Sequence, residues 1–370
     1  MMNNLRAAQL HNVKLKFLLL LLSMAYVMVL VGFTLRHFRS EDPVPDAEMI
    51  SIDMRKQFRD IAAQVRVGLY VKSFSKFDFV ANNFIMEAVV WFEFNKNEIT
   101  LETIEKFSFE RSEILSRSDP KVTMDGNKIN VKYNVIVSLH SNLEFQRFPL
   151  EDHRLSIELI NEFVSPNEMY FDDDVDSLSF VIDEEVFTAD WEVESLRAFS
   201  GYTALHYDQY HEDKKIGIPK AVFIIDFKKV GVKKMLVIFV PLFASVLLAL
   251  LTFLMSFNSY ISKITLSATA ITALLGYRFV IENMSPKVGY FTVTDKFFIF
   301  FLVLSFFIFI FQLLLIRQYM ISIDKDKFEP ADRPEADAVL YPPRITERIN
   351  TYGFFVAIAL FVVVVTYILW

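Results

Sequence analysis

Five stretches of mostly apolar residues, each long enough for a helix that crosses the hydrocarbon core of a bilayer, constrain this chain more than anything else in it. They fall at residues 17–35, 235–257, 261–282, 296–317 and 350–370. One stands early and four lie in the last third. The chain therefore reads as residues 1–40 carrying an N-terminal hydrophobic helix, an exported region over 41–234, and a four-helix transmembrane bundle over 235–370. Composition agrees, since 53% of the 370 residues are apolar and 39 are Phe, too apolar for an ordinary soluble domain and too rich in aromatics for disorder.

The first stretch follows Arg6, Lys14 and Lys16. It is either a signal peptide, with Ser23-Met24-Ala25 as a small-residue cleavage site, or a retained signal anchor. Its length exceeds the usual signal core of about 7–15 residues and favours the anchor. In either case the chain beyond it is exported. The linker over 317–348 carries six basic residues and reads as cytoplasmic, which leaves Lys228, Lys229, Lys233 and Lys234 on the other side.

Charge is distributed unevenly. Residues 41–234 hold 36 acidic and 23 basic side chains (−13), while the remainder holds 9 and 15 (+6), giving the formal total of −7. No clustered basic surface marks a nucleic-acid binder. With no cysteine, disulfides, thiolate metal sites and thiol nucleophiles are excluded. Neither Gly-x-Ser-x-Gly, His-Glu-x-x-His, a phosphate loop nor a dinucleotide fingerprint occurs, so nothing points to an enzyme.

The exported region is mostly of period two. Residues 131–139 place Val, Tyr, Val, Val and Leu on one side, 155–159 alternate likewise, and 66–72, 84–94, 191–196 and 221–227 are rich in strand formers. Asp125-Gly126-Asn127 signals a hairpin. This is the pattern of an antiparallel all-β sandwich, with a short amphipathic helix expected over 46–64. The third membrane stretch differs from its neighbours. Thr265, Thr269, Thr272, Gly276 and Phe279 recur at spacings of four, three, four and three on one helical face. Such a face either packs helices together or lines a pore.

Further motifs lie in fixed order along the chain. Val67-Gly68-Leu69-Tyr70 opens a first strand; Phe148-Pro149-Leu150-Glu151 precedes Leu155-Ser156-Ile157; Pro241 sits inside the first of the last four helices; and Asn283-Met284-Ser285-Pro286-Lys287-Val288-Gly289-Tyr290 follows the polar helix. Together they resemble a pentameric ligand-gated ion channel of the prokaryotic type, with His140 and Arg154 where the animal receptors carry their loop cysteines. The resemblance covers the chain from about Val65 onward.

That resemblance implies a homo-oligomer, a pentamer, in the lipid bilayer: a multi-pass protein of a bacterial inner (plasma) membrane with its ectodomain outside the cytoplasm. Agonist, whether a small molecule, a proton or an ion, would bind at the ectodomain interface and open the pore. Ile261, Ser262, Thr265, Thr269, Thr272, Gly276 and Phe279 would line it. Family members carry an aliphatic ring at mid-pore where this chain has Thr272, so the hydrophobic constriction would move to Phe279 or Ile261. Glu282 and the acidic ectodomain favour cations; Lys263 turns away from the axis, and Arg278 and Glu282 are spaced to pair. Coupling would run through Asp78, Phe148, Pro149, Glu151, Asp152, Pro286 and Tyr290, with Lys228 and Lys229 pairing with Asp78, Glu151 or Asp152. Trp91, with Tyr202, Tyr207 and Tyr210 on a flap over 200–219, would cage the agonist, and His206 and His211 on that flap could bind metal or sense pH. The segment 151–194 holds 15 acidic residues against Arg154 alone, and its runs at Asp172-Asp173-Asp174 and Asp183-Glu184-Glu185 suit modulation by calcium. The alternative is a non-conducting sensor or assembly protein that keeps this fold.

Overall fold

The computed structural model describes residues 2–36, 38–47, 62–165, 167–172, 178–183, 186, 188, 190–205, 216–328 and 344–370. The chain forms two compact units: Phe38–Glu144 with Glu151–Gly231, and Met1–His37 with Phe145–Leu150 and Val232–Trp370.

The first unit is built of strands β1 Ala63–Asp78, β2 Asn83–Asn95, β3 Ser108–Phe109, β4 Ser112–Arg117, β5 Lys121–Asp125, β6 Lys128–Leu139, β7 His153–Ile160, β8 Met169–Phe171, β9 Leu178–Ile182, β10 Trp191–Leu205 and β11 Ile216–Lys229. The larger sheet runs β4-β6-β2-β1-β8, with β5 also on β6 and β9 also on β1; the smaller runs β10-β11-β7-β3. Period two becomes burial directly. On β2 every second residue from Phe84 to Phe94 is buried, and on β7 and β11 Leu155, Ile157, Phe223 and Ile225 meet them in one core. Each such side chain contributes about 1.5–3 kcal/mol by leaving water, so the two inner faces hold the sandwich together.

Gly126, at φ +60, and Asn127 make the two-residue turn between β5 and β6, as expected of a primed hairpin turn. The sheets are not wholly antiparallel, because β1 pairs in parallel with both β8 and β9. Of the short helix expected over 46–64, residues 48–61 lie outside the described ones, while Ala63 and Gln64 already belong to β1. One helical turn the sequence reading did not anticipate, Leu101–Ile104, is capped by the Thr100 side chain, which accepts from the Thr103 N–H.

The second unit contains α1 Met2–Thr34, α2 Lys233–Leu251, a 3-10 turn Phe257–Ser259, α3 Tyr260–Met284, α4 Val293–Phe328 and α5 Arg344–Leu369. Among the described residues, five helices are long and apolar enough to cross a membrane, over Asn12–Thr34, Lys233–Leu251, Phe257–Met284, Val293–Ser322 and Ile345–Leu369. Large apolar side chains such as Val240, Phe307, Val356 and Tyr367 remain exposed on their outer faces, a surface suited to lipid and costly in water. These helices mark the chain as a membrane protein.

Helix α2 ends at Leu251 and does not reach 257. Beyond it the Phe253 and Leu254 N–H groups reach back three residues to Leu250 and Leu251, and the Thr252 hydroxyl donates to Ala249 O at 2.6 Å, tightening the chain into turns. Pro241 lies inside α2 and lacks the N–H that would bond Val237 O. The Tyr277 hydroxyl of α3 donates to that carbonyl in its place. Helix α1 packs along α5, with Asn12 Nδ2 donating to Thr351 Oγ1 (3.3 Å) and Tyr26 bonded to Thr366 (3.2 Å). Because both numbers rise together, the two helices run parallel.

Candidate functional site

Helix α3 has two unlike faces. Lys263, Ser267, Ala270, Ile271, Leu274 and Ile281 are buried against the rest of their unit. Ile261, Ser262, Thr265, Thr269, Thr272, Gly276 and Phe279 are all exposed, with Phe279 71% open. The face singled out by spacing thus lies within the surface of this helix that the described residues leave uncovered, together with Leu275 and Val280. Its hydroxyls turn their protons inward: Thr269 Oγ1 donates to Thr265 O at 2.8 Å and Thr272 Oγ1 to Ala268 O at 3.1 Å. Their oxygens therefore keep lone pairs for an outside partner. At Gly276 an added Cβ would meet nothing within 4 Å, so no neighbour within the chain demands a glycine there.

Charges sit unevenly around this helix. Lys263 lies on the buried side, its ammonium 4.0 Å over the Phe257 ring and without a hydrogen-bond partner. Arg278 does not pair with Glu282; it donates to Asp295 Oδ1 at 2.6 Å. Asp295 wins because the Thr292 N–H and hydroxyl already hold its carboxylate in the first turn of α4, at 3.1 and 2.8 Å. Glu282 is left exposed near the end of α3.

The segment Phe145–Leu150 belongs to the helical unit. Val293 N–H donates to Gln146 O (3.0 Å), and Thr294 donates to Phe148 O from both its N–H (3.2 Å) and its hydroxyl (3.0 Å). These are first-turn amides of α4 with no acceptor inside their own helix. The Phe145 N–H donates to the Tyr290 hydroxyl at 2.8 Å, and the Lys234 ammonium stands 5.1 Å over the Phe148 ring. Phe148, Pro149 and Pro286 are buried. Two of the expected coupling positions, Phe148 and Tyr290, therefore share one hydrogen-bonded knot with the start of α4.

The remaining coupling positions belong to the β unit. Asp78, the last residue of β1, is exposed and accepts from the Ala81 N–H at 3.0 Å. Glu151 and Asp152 are buried, and Asp152 accepts from the Arg39 and Lys229 N–H groups at 2.8 Å each. Burial pushes the Asp152 carboxyl above its ordinary value, against those two bonds. The two lysines act on these carboxylates differently, and the charge of Lys228 reaches Asp152. Lys228 pairs with Glu194 at 3.6 Å, and Lys229 reaches Asp152 through its backbone while its ammonium lies 5.5 Å over Trp191. Glu192 stands opposite Lys228 in the β10–β11 register, and Glu194 is the residue added where that register shifts between Val193 and Ser195.

Among the aromatic residues proposed to bind agonist, Trp91 is half-buried on β2 and its indole covers Gly68 on β1, where any Cβ would overlap the ring. Tyr202 packs on Ala62 and Tyr170. Tyr207, Tyr210, His206 and His211 lie outside the described residues; the flanks of that flap, β10 to Leu205 and β11 from Ile216, form one hairpin in continuous register. Asp172 accepts from Gln64 at 2.5 Å and Asp183 from the Tyr70 hydroxyl at 2.6 Å. Asp173, Asp174, Asp176, Glu184 and Glu185 lie outside the described residues, and among the described residues no cluster could hold a metal ion.

Long-range polar partners carry no signal in the sequence. Asp226 of β11 accepts from Arg154 Nε (2.8 Å), Ser195 Oγ (2.7 Å) and Arg197 Nη2 (2.8 Å). Burial alone would raise its carboxyl, but these donors hold it below the usual carboxylate range. Lys220, itself buried, bridges Glu110 at 2.7 Å and Glu158. No protein-family model matches the chain, and no curated protein is significantly similar to it. Function has to be argued from the site itself.

Proposed function

We propose that this chain is the subunit of a ligand-gated ion channel of the prokaryotic pentameric type, with α3 lining the pore. The observation that carries the reading is the open face of α3. A helix of membrane length leaves Thr265, Thr269 and Thr272 exposed among the described residues of its own chain, and lipid would penalise that exposure. Copies arranged around an axis would cover the flanks and leave the threonines facing water, where each becomes a ring of hydroxyls. The Phe145–Leu150 knot on α4 supports gating, since a shift of this loop would be felt at the helix that follows the pore segment.

Cation selectivity is part of the proposal. Lone pairs face outward on Thr269 and Thr272, Lys263 lies on the other side, Glu282 is exposed, and residues 41–234 carry −13. Ion flux tests the reading. Purified protein in liposomes or planar bilayers, stepped through pH, calcium and a panel of amines, is expected to pass gated current with a cation reversal potential. Persistent silence from a proven surface pentamer would favour the non-conducting sensor.

A further inference from the structure

One buried cluster in the β unit lies outside the pore. His153, the first residue of β7, is 1% exposed and stands between two carboxylates: Nδ1 lies 3.0 Å from Asp42 Oδ2 and Nε2 lies 3.6 Å from Glu151 Oε1. Its ring stacks on Phe79 at 4.7 Å and tilts against Trp191 at 5.4 Å. Both acidic partners are themselves buried, and among the described residues Glu151 Oε2 has no hydrogen-bond partner. A buried carboxylate so placed is costly unless a cation sits beside it. Among the described residues, the group that stands between these two carboxylates and can become one is the imidazole.

Asp42 does more than hold the histidine. Its Oδ1 accepts from the Glu144 N–H at 2.6 Å and its Oδ2 from the Arg154 N–H at 2.7 Å. Glu144 immediately precedes the Phe145–Leu150 segment, and Glu151 immediately follows it. One carboxylate thus ties the chain entering that loop to the chain leaving it.

We propose that Asp42, His153 and Glu151 form a proton-binding latch that fastens both ends of the Phe145–Leu150 loop. With the proton bound, the imidazolium bridges both carboxylates and the triad carries −1. Without it, the triad carries −2, Glu151 loses its counter-ion, and the chain just after Leu150 is pushed from its place. The other charged groups around the latch are committed elsewhere or act at one remove. Asp152 holds the Arg39 and Lys229 N–H groups, Arg154 binds Asp226 and the Asp42 carbonyl, Lys228 pairs with Glu194, and Lys229 lies over Trp191. As a gating input the latch rests on the channel reading; as a proton site it does not.

Burial opposes charging His153, but the hydrogen bonds and charges of Asp42 and Glu151 outweigh it and raise the imidazole above its ordinary value. A raised folded-state value means stability present below about pH 6.5 and lost as pH rises through the folded value. The test is the melting temperature of the full-length protein in detergent from pH 5 to 9. Wild type is expected to lose stability as pH rises above about 6.5, His153→Gln to lose that slope, and His140→Gln, at an exposed position, to keep it. Should His153→Gln fail to fold, Glu151→Gln removes one anion and is expected to move the midpoint down by about one pH unit. A flat wild-type profile, a slope that survives His153→Gln, or an unmoved midpoint in Glu151→Gln overturns the latch. Flux from liposomes of the same proteins separates the two readings. Silent liposomes with a His153-dependent slope keep the latch and remove the channel, whereas gated current with no such slope does the reverse.

Discussion

Asp226 shows how much one side chain can hold once burial and partners combine. Its carboxylate joins β7 through Arg154 and β10 through Ser195 and Arg197, and breaking such a buried pair typically costs about 3 kcal/mol. Asp226→Asn should destabilise the protein by about that amount in denaturant melts at neutral pH. Its folded value is depressed, so the contribution is present above the ordinary carboxylate value of about 3.9 and is lost as pH falls below it; the variant should show a flatter acid limb. Gly68 is constrained by its neighbour instead of by charge. Gly68→Ala would drive a methyl into the Trp91 indole, and both a loss of stability and a shift in tryptophan emission are expected. Neither residue announces its role in the sequence, because Asp226 and Arg154, and Gly68 and Trp91, meet only through strand pairing.

Among the elements, the long ones were legible and the short ones were not. Strands β6 and β7 alternate apolar residues toward the core, so their period shows in the sequence, while β2 and β11 show as runs of strand formers, β11 being buried at every position from Ile218 to Phe227. β5 is exposed at every position and β3 has two residues, which leaves no period to read. The open face of α3 was legible for the same reason as the strands, since its threonines recur at the helical repeat. The bond that ties α3 to α2 was not. Pro241 leaves Val237 O without its helical donor and Tyr277 supplies one, a match that depends on how two helices lie. Tyr277→Phe should cost about 1–2 kcal/mol in wild type. In a Pro241→Ala background residue 241 regains its N–H, so most of that cost should vanish. A double-mutant cycle on thermal stability measures the difference.

For the whole molecule the first expectation is mass. Five chains of 43.1 kDa make about 216 kDa, which light scattering of the detergent complex can check after the detergent is subtracted. Phe279 is 71% exposed against 65% for Ile261, and Phe279→Ala is expected to raise resting leak if that ring is the constriction; unchanged leak would move the constriction to Ile261. The parallel run of α1 and α5, fixed by the Asn12–Thr351 and Tyr26–Thr366 bonds, bears on sidedness. If the five candidate spans among the described residues all cross, their odd number would put residues 1 and 370 in different compartments. Arg6, Lys14 and Lys16 would then share a compartment with Arg317 and Arg348, and Trp370 would emerge into the other. A tag at residue 1 and a tag after residue 370 should therefore answer oppositely to a protease that cannot cross the sealed membrane.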